Sequence, residues 1–372
     1  MNSKSFVKNI FLFTILFLIF IALINYFIDP GNIYPKNSLQ KNKITPKTYV
    51  DELVESENGL FLPKNTWNER DIKKAFAEYR MNYDCALIGS SHVMQISSNS
   101  QNRPLESICK SIKNLAVSGG TLEDFIALSN IITKNEESTP KTIVFGIDPW
   151  SLNFGRDRRW TRYEKDYFEM KDRLFSEDPI LSLKDNGDLK KDLFLNLFNM
   201  HYLKQSLGWI FEEKVELLAP APEFNHNVGL NLPVILPDGS LVYSAEYIEN
   251  AKKKIKTISG KESYKIIKDS YYQDYAIEVF EKLIVYLIDS KINVVFVLTP
   301  YHHKVWSYSG QPIYKALNVV ESKIHDIANQ YKIKVIGSYD PVKTRCLESE
   351  FYDPSHASYE CIAKLVNKTT VY

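Results

Sequence analysis

The pattern of apolar and polar positions begins with an uninterrupted apolar segment. From Ile10 to Ile28 the chain reads IFLFTILFLIFIALINYFI, with Thr14 and Asn25 as its polar residues and no charge. At 1.5 Å per residue, a helix of this length covers about 28 Å, close to the thickness of a bilayer's hydrocarbon core. No small-x-small cleavage site follows. Residues 1–28 are therefore predicted to be a short N-terminal tip and an uncleaved transmembrane anchor.

The pattern changes twice after the anchor. Residues 29–68 are polar and contain Pro30, Pro35, Pro46 and Pro63, which favours a tether. Residues 69–80 (ERDIKKAFAEYR) carry apolar positions at helical spacing and predict the first helix of a globular domain spanning 69–372.

Within that domain, short apolar runs alternate with helical patterns, which is typical of a parallel sheet with crossover helices. The predicted strands are Cys85–Gly89, Ile112–Val117, Thr142–Ile147, Ile292–Thr299 and Ile333–Ile336. The predicted helices are Leu122–Lys134, Tyr272–Ser290, Ile313–Tyr331 and Ser358–Asn367. The fold class is therefore α/β.

A long stretch between the third and fourth predicted strands does not fit a simple crossover. Residues 150–270 are rich in Trp and Tyr and contain a hairpin-like LPDGSLVY at 236–243. We expect this insertion to form a cap over the carboxyl ends of the strands, where α/β enzymes bind ligands.

Charge and cysteine content narrow the function classes. Lys and Arg number 46 against 45 Asp and Glu, so no broad attraction to nucleic acid is expected. The cysteines show no metal-ligand spacing, and neither a metal nor a cofactor is predicted. In an oxidising compartment, sequence proximity favours the disulfides Cys85–Cys109 and Cys346–Cys361; four separate buried thiols are the alternative.

Three short motifs could together form a serine-dependent acyl-transfer site. Ser91 lies in GSSH directly after the first predicted strand, and Gly119 lies in VSGGT after the second. Asp353 and His356 form DPSH before the last helix. Each motif alone fits a helix cap or a turn. Together they supply a nucleophile, backbone N–H donors from Ser91 and Gly119 for an oxyanion, and a base with its orienting carboxylate.

Three other histidines are candidates for a role in the same site. His302 and His303 follow the fourth predicted strand, so one of them could contact substrate, although exposed loop residues are the alternative. Adjacent side chains diverge, which argues against shared metal binding. His92 directly follows Ser91 and is a poor candidate for the base, because adjacency gives awkward geometry.

The three motifs resemble those of the SGNH/GDSL hydrolase superfamily. GSS matches the first block, with Ser90 in place of Asp, while Gly119 matches the oxyanion-hole glycine of the second and Asp353-Pro-Ser-His356 matches D-x-x-H. The third block, G-x-N-D, reads Gly146-Ile147-Asp148-Pro149, so Asp148 replaces the asparagine donor. Asn153 could supply the missing donor, and Asp148 could have a structural or substrate-binding role.

The GSS block, the anchor and the FIDP sequence after it are similar to membrane-attached SGNH-like proteins of envelope polymer biosynthesis, such as alginate O-acetylation and teichoic-acid D-alanyl transfer proteins. The resemblance implies a three-layer, flavodoxin-like fold with a five-stranded parallel sheet. It also implies that this domain lies outside the cytoplasm, so that residues 1–28 begin with a cytoplasmic tip before the transmembrane anchor. It implies acyl transfer, O-acetyl above all, to an envelope polysaccharide through acyl-Ser91, beside a membrane-bound acyl-donor partner. A carbohydrate esterase and a non-catalytic scaffold of a polysaccharide export complex are the alternatives.

Overall fold

The computed structural model describes most of the chain in two compact units. The described residues are 3–28, 34, 45–62, 68–99, 103–134, 139–176, 194–195, 197–211, 218–226, 228–255, 271–307 and 312–365. The first unit, here the anchor unit, comprises Met1–Thr45, Pro63–Asn68 and Phe175–Leu217. The second, here the sheet unit, comprises Pro46–Leu62, Glu69–Leu174 and Leu218–Tyr372.

The anchor unit contains the predicted transmembrane segment as helix α1, Ser3–Ile28. In the described part of the chain, its Ser5–Ile28 segment is the one helix long and apolar enough to cross a membrane. The amide of Asn25 donates a hydrogen bond of 2.8 Å to the Leu197 carbonyl, and its Oδ1 accepts one from Ser206 Oγ. The buried polar side chain of Asn25 therefore has hydrogen-bond partners within the anchor unit, as buried polar groups generally do. Ser206 lies on α6, Met200–Phe211.

The sheet unit is built on five parallel strands, as predicted. They are β2 (Cys85–Ile88), β3 (Ile112–Asn114), β4 (Thr142–Gly146), β7 (Asn293–Leu298) and β8 (Lys334–Gly337). Their spatial order is β3-β2-β4-β7-β8, which in chain order is the 2-1-3-4-5 arrangement of flavodoxin-like doubly wound sheets. Every residue of β2, β3 and β4 is buried, which explains why these strands read as short runs without polar alternation.

Five helices lie where the periodicity predicts them: α3 (Glu69–Glu78), α4 (Leu122–Thr133), α8 (Asp274–Asp289), α10 (Pro312–Tyr331) and α11 (Tyr359–Ile362). Three further helices of this unit were not predicted: α5 (Glu164–Leu174), α7 (Ala245–Ile255) and α9 (His303–Trp306). Helix α11 is shorter than the predicted Ser358–Asn367, whose end lies outside the described residues.

The tether prediction is wrong for residues 46–62. This stretch forms α2, Pro46–Glu55, and β1, Leu60–Phe61, and both belong to the sheet unit. Tyr49, Val50 and Leu53 are fully buried, because they share one face of α2. A proline such as Pro46 is tolerated in the first turn of a helix, so its presence did not mark a loop.

The predicted cap is not a single piece. Residues 175–217 fall in the anchor unit, and 256–270 lie outside the described residues. The predicted hairpin is present as β5 (Val234–Ile235) and β6 (Leu241–Val242), and β5 also pairs with β1. Helix α5 packs against α4 on the flank of the sheet. The insertion is therefore divided between the two units rather than forming one continuous cap.

Both disulfides favoured by sequence proximity are present, and the described residues contain no free cysteine. All four cysteines lie in the same buried apolar cluster, to which β2 contributes Cys85 and α11 contributes Cys361. The alternative of four separate thiols is therefore wrong. Cross-links of this kind restrict the unfolded chain and stabilise the folded one by about 2–4 kcal/mol each.

Candidate active site

The predicted site residues gather at the carboxyl edge of the sheet. Ser91 follows β2, Gly119 follows β3, Asp148 follows β4, and the segment with Asp353 and His356 comes after β8. Strand β2 lies between β3 and β4, so the chain leaves it at the point where the strand order reverses. Doubly wound sheets bind ligands at this switch point.

Ser91, His356 and Asp353 form a continuous chain of hydrogen bonds. Ser91 Oγ lies 2.8 Å from His356 Nε2, and His356 Nδ1 lies 2.7 Å from Asp353 Oδ2. The His356 and Asp353 side chains remain about a fifth to a quarter exposed, at 20% and 24%. The fold thus brings together a serine and a histidine 265 positions apart in an arrangement that a ligand can reach.

The Asp353 carboxylate is surrounded by donors from its own loop. Its Oδ1 accepts hydrogen bonds from the Ser355 N–H at 2.8 Å, the Ser355 Oγ at 3.0 Å and the His356 N–H at 2.9 Å. Burial alone would raise the pKa of this carboxyl, but the hydrogen bonds from the His356 ring and from these N–H groups hold it well below its usual range. Asp353 therefore stays ionised and keeps the His356 proton on Nδ1, which leaves Nε2 free to accept the Ser91 proton.

The predicted oxyanion turn, Ser118-Gly119-Gly120, adopts a backbone conformation that requires its two glycines. Gly119 has φ of +63°, a conformation that side chains disfavour, and a Cβ at Gly120 would collide with the Gly89 carbonyl oxygen. The Val117 N–H donates to that same carbonyl at 3.0 Å, which seats the turn beside the Ser91 segment. In the described part of the chain, the N–H groups of Ser91 and Gly119 donate to no other residue, so both are available to a ligand.

Residues outside the predicted set hold this turn on both sides. The Ser118 N–H donates to Glu69 Oε2 at 2.8 Å, and the Ser118 carbonyl accepts from Arg159 Nη2 at 2.7 Å. Glu69 begins α3, and Arg159 lies in the 3₁₀ helix Arg158–Tyr163 of the insertion. Nothing in the local sequence signals either contact, because each comes from a segment far along the chain.

Behind the turn lies a fully buried ion pair. Arg70 donates two parallel hydrogen bonds, of 2.7 and 2.8 Å, to the two oxygens of Asp124, and both side chains are completely enclosed. Asp124 also accepts from the Thr121 N–H, so the same carboxylate caps the first turn of α4. The pair therefore fixes where α4 begins relative to the Gly119 turn.

A second histidine–carboxylate pair lies directly against the triad. His92 Nδ1 is 2.8 Å from Asp148 Oδ1, and both side chains are only 2% exposed. The His92 ring packs edge-to-face on His356, with ring centroids 4.6 Å apart. Trp150 and Tyr301 enclose the His92 ring at 5.2 and 5.5 Å. Asp148, which occupies the asparagine position of the third block, thus contacts His92, the residue that directly follows Ser91.

Three other predicted contacts are corrected by the structure. The Asn153 amide donates to the Tyr271 carbonyl at 3.2 Å, so it is not directed at an oxyanion. His303 Nε2 lies 2.6 Å from the Cys346 carbonyl, to which it donates. His302 is completely buried as the N-cap of α9, where its Nδ1 accepts from the Lys304 N–H. Residues that follow a strand can thus be used for packing rather than for substrate.

Among the described residues, no group of His, Cys, Asp and Glu side chains is placed to hold a metal ion. The described residues bring together at the site a serine hydroxyl, two imidazoles, two carboxylates and backbone N–H groups. No family model and no curated protein sequence matches the chain. The function of the site has to be inferred from its own geometry.

Proposed function

We propose that this chain is a membrane-anchored serine acyltransferase of the SGNH type, which carries an acyl group on Ser91 to a hydroxyl of an envelope polysaccharide. The observation that supports the proposal is the hydrogen-bonded chain from Ser91 Oγ through His356 to Asp353, beside the unengaged N–H groups of Ser91 and Gly119. A nucleophile, an oriented base and oxyanion donors are the parts that acyl transfer requires.

The first half of the reaction acylates the serine. Ser91 Oγ attacks the acyl carbonyl carbon as His356 Nε2 accepts the hydroxyl proton, and the carbonyl electron pair moves onto oxygen. The N–H groups of Ser91 and Gly119 donate to that oxyanion. The intermediate collapses to acyl-Ser91, and the departing group leaves with the proton held by His356.

The second half passes the acyl group on. His356 accepts a proton from an incoming sugar hydroxyl, whose oxygen attacks the acyl carbon; the second tetrahedral intermediate then expels Ser91, which recovers its proton. Water in place of the sugar would make the protein an esterase. The two outcomes differ only in which nucleophile reaches acyl-Ser91.

The setting of the site fits an envelope role. Helix α1 is long and apolar enough to cross a membrane, and two disulfides favour an oxidising compartment for the sheet unit. We place that unit outside the cytoplasm, with an acyl-donor protein in the same membrane as its partner. Arg159 of the insertion donates to the Ser118 carbonyl beside the site, and we propose that this part of the insertion helps to bind the polysaccharide.

The test is the mass of the full-length protein in detergent after exposure to an activated acetyl ester. We expect one acetyl group on Ser91, absent from Ser91→Ala and retained by Ser290→Ala, which removes an exposed serine at the end of α8. Persistence of the adduct until a polysaccharide is added supports the transferase, and rapid decay in water indicates the esterase. Equal labelling of wild type and Ser91→Ala, or none, contradicts the proposal and favours the scaffold.

A further inference from the structure

The anchor unit exposes apolar side chains beyond those of α1. Among the described residues 194–195 and 197–211, four large apolar side chains are exposed to solvent: Phe194, Leu195, Met200 and Leu207. The sequence from 194 to 211, FLNLFNMHYLKQSLGWIF, contains one charged residue, Lys204, and no acidic residue. Exposure of several apolar side chains within a short segment usually marks contact with another molecule or with a membrane.

Helix α6, which belongs to this segment, is apolar on two sides. Leu203 and Ser206 are buried on its inner side, and Met200, Lys204 and Leu207 are exposed at the spacing of one helix face. A surface helix of a soluble protein carries polar residues on its outer side, whereas two of these three positions are apolar. One cation beside apolar side chains is typical of a helix in a membrane interface, where the ammonium reaches the headgroups.

Hydrogen bonds and burial join the segment to α1. The Asn25 amide donates to the Leu197 carbonyl at 2.8 Å and to the Asn199 carbonyl at 3.2 Å. Asn25 Oδ1 accepts from Ser206 Oγ at 3.2 Å. Ile21, one turn earlier on α1, is also buried, and α1 packs against α6. The exposed apolar side chains therefore cannot leave α1 without breaking these contacts.

The position of Asn25 sets the depth of the segment in a membrane. The part of α1 without charges starts after Lys8 and continues to Ile28, and its length matches the hydrocarbon core of a bilayer. Asn25 precedes Ile28 by three residues, which is about 4.5 Å along a helix. Its hydrogen-bond partners therefore lie close to the boundary between hydrocarbon and headgroups, at the end of α1 opposite to Lys8.

We infer that the segment 194–211 is a second membrane contact: its four exposed apolar side chains enter the hydrocarbon boundary, and Lys204 binds lipid phosphate. The inference rests on the proposed membrane anchor α1 and is independent of the chemistry at Ser91. A span alone leaves the anchor unit free to rotate about α1, and the interfacial segment removes that freedom.

The other possible occupant of this surface is a second membrane protein. The bilayer is favoured, because α1 brings these side chains to it whether or not a partner is present. The absence of acidic residues from 194 to 211 also suits a surface of anionic headgroups, which attracts a lysine and repels carboxylates.

The test places the full-length protein in nanodiscs of phosphatidylcholine and phosphatidylglycerol that contain a phospholipid with a diazirine on its acyl chain, close to the glycerol. Light attaches this lipid to side chains at that depth, and peptide mass spectrometry locates the adducts. We expect adducts on α1 near Ile28 and on Met200 and Leu207. Leu203, on the inner side of the same helix, is the internal control and should remain at background.

A matched pair of substitutions sharpens the test. Leu207→Glu should lower the yield of adducts on the segment by about fivefold or more, because it removes an apolar side chain from the boundary and adds a carboxylate. Leu347→Glu, at an exposed leucine of the sheet unit, should leave that yield unchanged.

Adducts on α1 together with background labelling of Met200 and Leu207 would overturn the inference and favour a protein partner for this surface. Equal labelling of Leu203 and Leu207 would also overturn it, since the inner side of α6 would then be as accessible as the outer side. Absence of adducts from α1 as well would contradict the membrane anchor on which the inference rests. Acetylation of Ser91 is measured separately, so failure of the acyl-transfer proposal is distinguishable from each of these results.

Discussion

The two histidine–carboxylate pairs at this site differ in how their carboxylates are held. Asp353 is partly exposed and surrounded by loop N–H groups, which together with the His356 ring hold its pKa well below the usual range. Asp148 is enclosed and lacks such donors among the described residues, although its Oδ1 lies 2.8 Å from His92 Nδ1. The difference teaches that two pairs of the same residue types in one site can give their carboxylates unequal hydrogen-bond support.

The largest expected effect comes from making the same substitution in both pairs. Asp353→Asn should lower acylation of Ser91 by about 10⁴, because an amide that donates to Nδ1 forces the proton onto Nε2, where His356 can no longer act as base. Asp148→Asn should cost less than about tenfold, since among the described residues Asp148 contacts His92 and neither Ser91 nor His356. Single-turnover acylation by an activated ester measures both, with circular dichroism as the control for folding. Equal losses in the two variants would remove the proposed distinction.

The next effect concerns the buried Arg70–Asp124 pair behind the oxyanion turn. The Asp124 carboxylate binds the Arg70 guanidinium and also accepts a hydrogen bond from the Thr121 N–H. Arg70→Met should destabilise the sheet unit by about 3–5 kcal/mol, because it leaves Asp124 buried without its guanidinium. Urea unfolding of the full-length protein, followed by tryptophan fluorescence, measures the loss. Arg103→Met, which breaks a largely exposed contact with Glu106, is the matched control and should cost under about 1 kcal/mol. A small effect at Arg70 would mean that Asp124 tolerates burial without its partner.

Glu123 sharpens the comparison, because it is another buried carboxyl. Its Oε1 accepts from the Gly155 N–H at 2.7 Å, and burial raises its pKa to about 7 although hydrogen bonds from Gly155 and Thr121 act to lower it. The folded protein therefore binds the Glu123 proton more tightly than the unfolded chain does. That contribution to stability is complete below the unfolded pKa, near 4.5, and is lost as the pH rises towards 7.

Glu123→Gln should remove this pH dependence. The variant should gain up to about 3 kcal/mol over wild type on going from pH 4.5 to pH 8, because it never has to lose the proton. Unfolding in urea at both pH values measures the change, with Glu249→Gln, on exposed α7, as the control that should show little. Parallel pH profiles for wild type and Glu123→Gln would contradict the idea that burial retains a proton on this carboxyl.

The smallest expected effect is at Tyr247, on the exposed side of the Asp353–His356 pair. Tyr247 Oη lies 3.5 Å from Asp353 Oδ2, a long contact beside a carboxylate that already has several donors. Tyr247→Phe should therefore change the acylation rate by less than about threefold. A tenfold or larger loss in single-turnover acylation would show that Asp353 depends on this hydroxyl more than its loop donors suggest.

Much of the fold could be predicted from residue patterns. The strands of the sheet appeared as short apolar runs and the helices as periodic segments, and both were confirmed with ends shifted by a few residues. The hairpin around Asp238-Gly239 was read from its turn residues. What failed was the stretch at 46–62, because proline and polar residues occur at helix starts as well as in tethers.

The candidate site was predictable in part. Ser91, Asp353 and His356 follow strands or precede a helix in an order that fits one site, and they do meet. Asn153 and His302 also follow strands, yet neither side chain is directed to the site. The Asn153 amide donates to the Tyr271 carbonyl, and His302 Nδ1 accepts from the Lys304 N–H at the start of α9. Position after a strand places a residue near the edge of the sheet, but the direction of its side chain depends on neighbours from other segments.

The sequence by itself determined the long apolar helix, the parallel sheet and the three residues of the hydrogen-bonded chain, because each depends on local periodicity, spacing or residue type. It favoured the two disulfide pairs by proximity but left free thiols open. Only the tertiary structure decided that Asp148 pairs with His92 and that Asp353 receives donors which Asp148 lacks. The physical reason is that the protonation state of a buried carboxyl depends on every donor and charge around it. Those groups come from β2, β4, β7 and the loop after β8, which only the folded chain brings together.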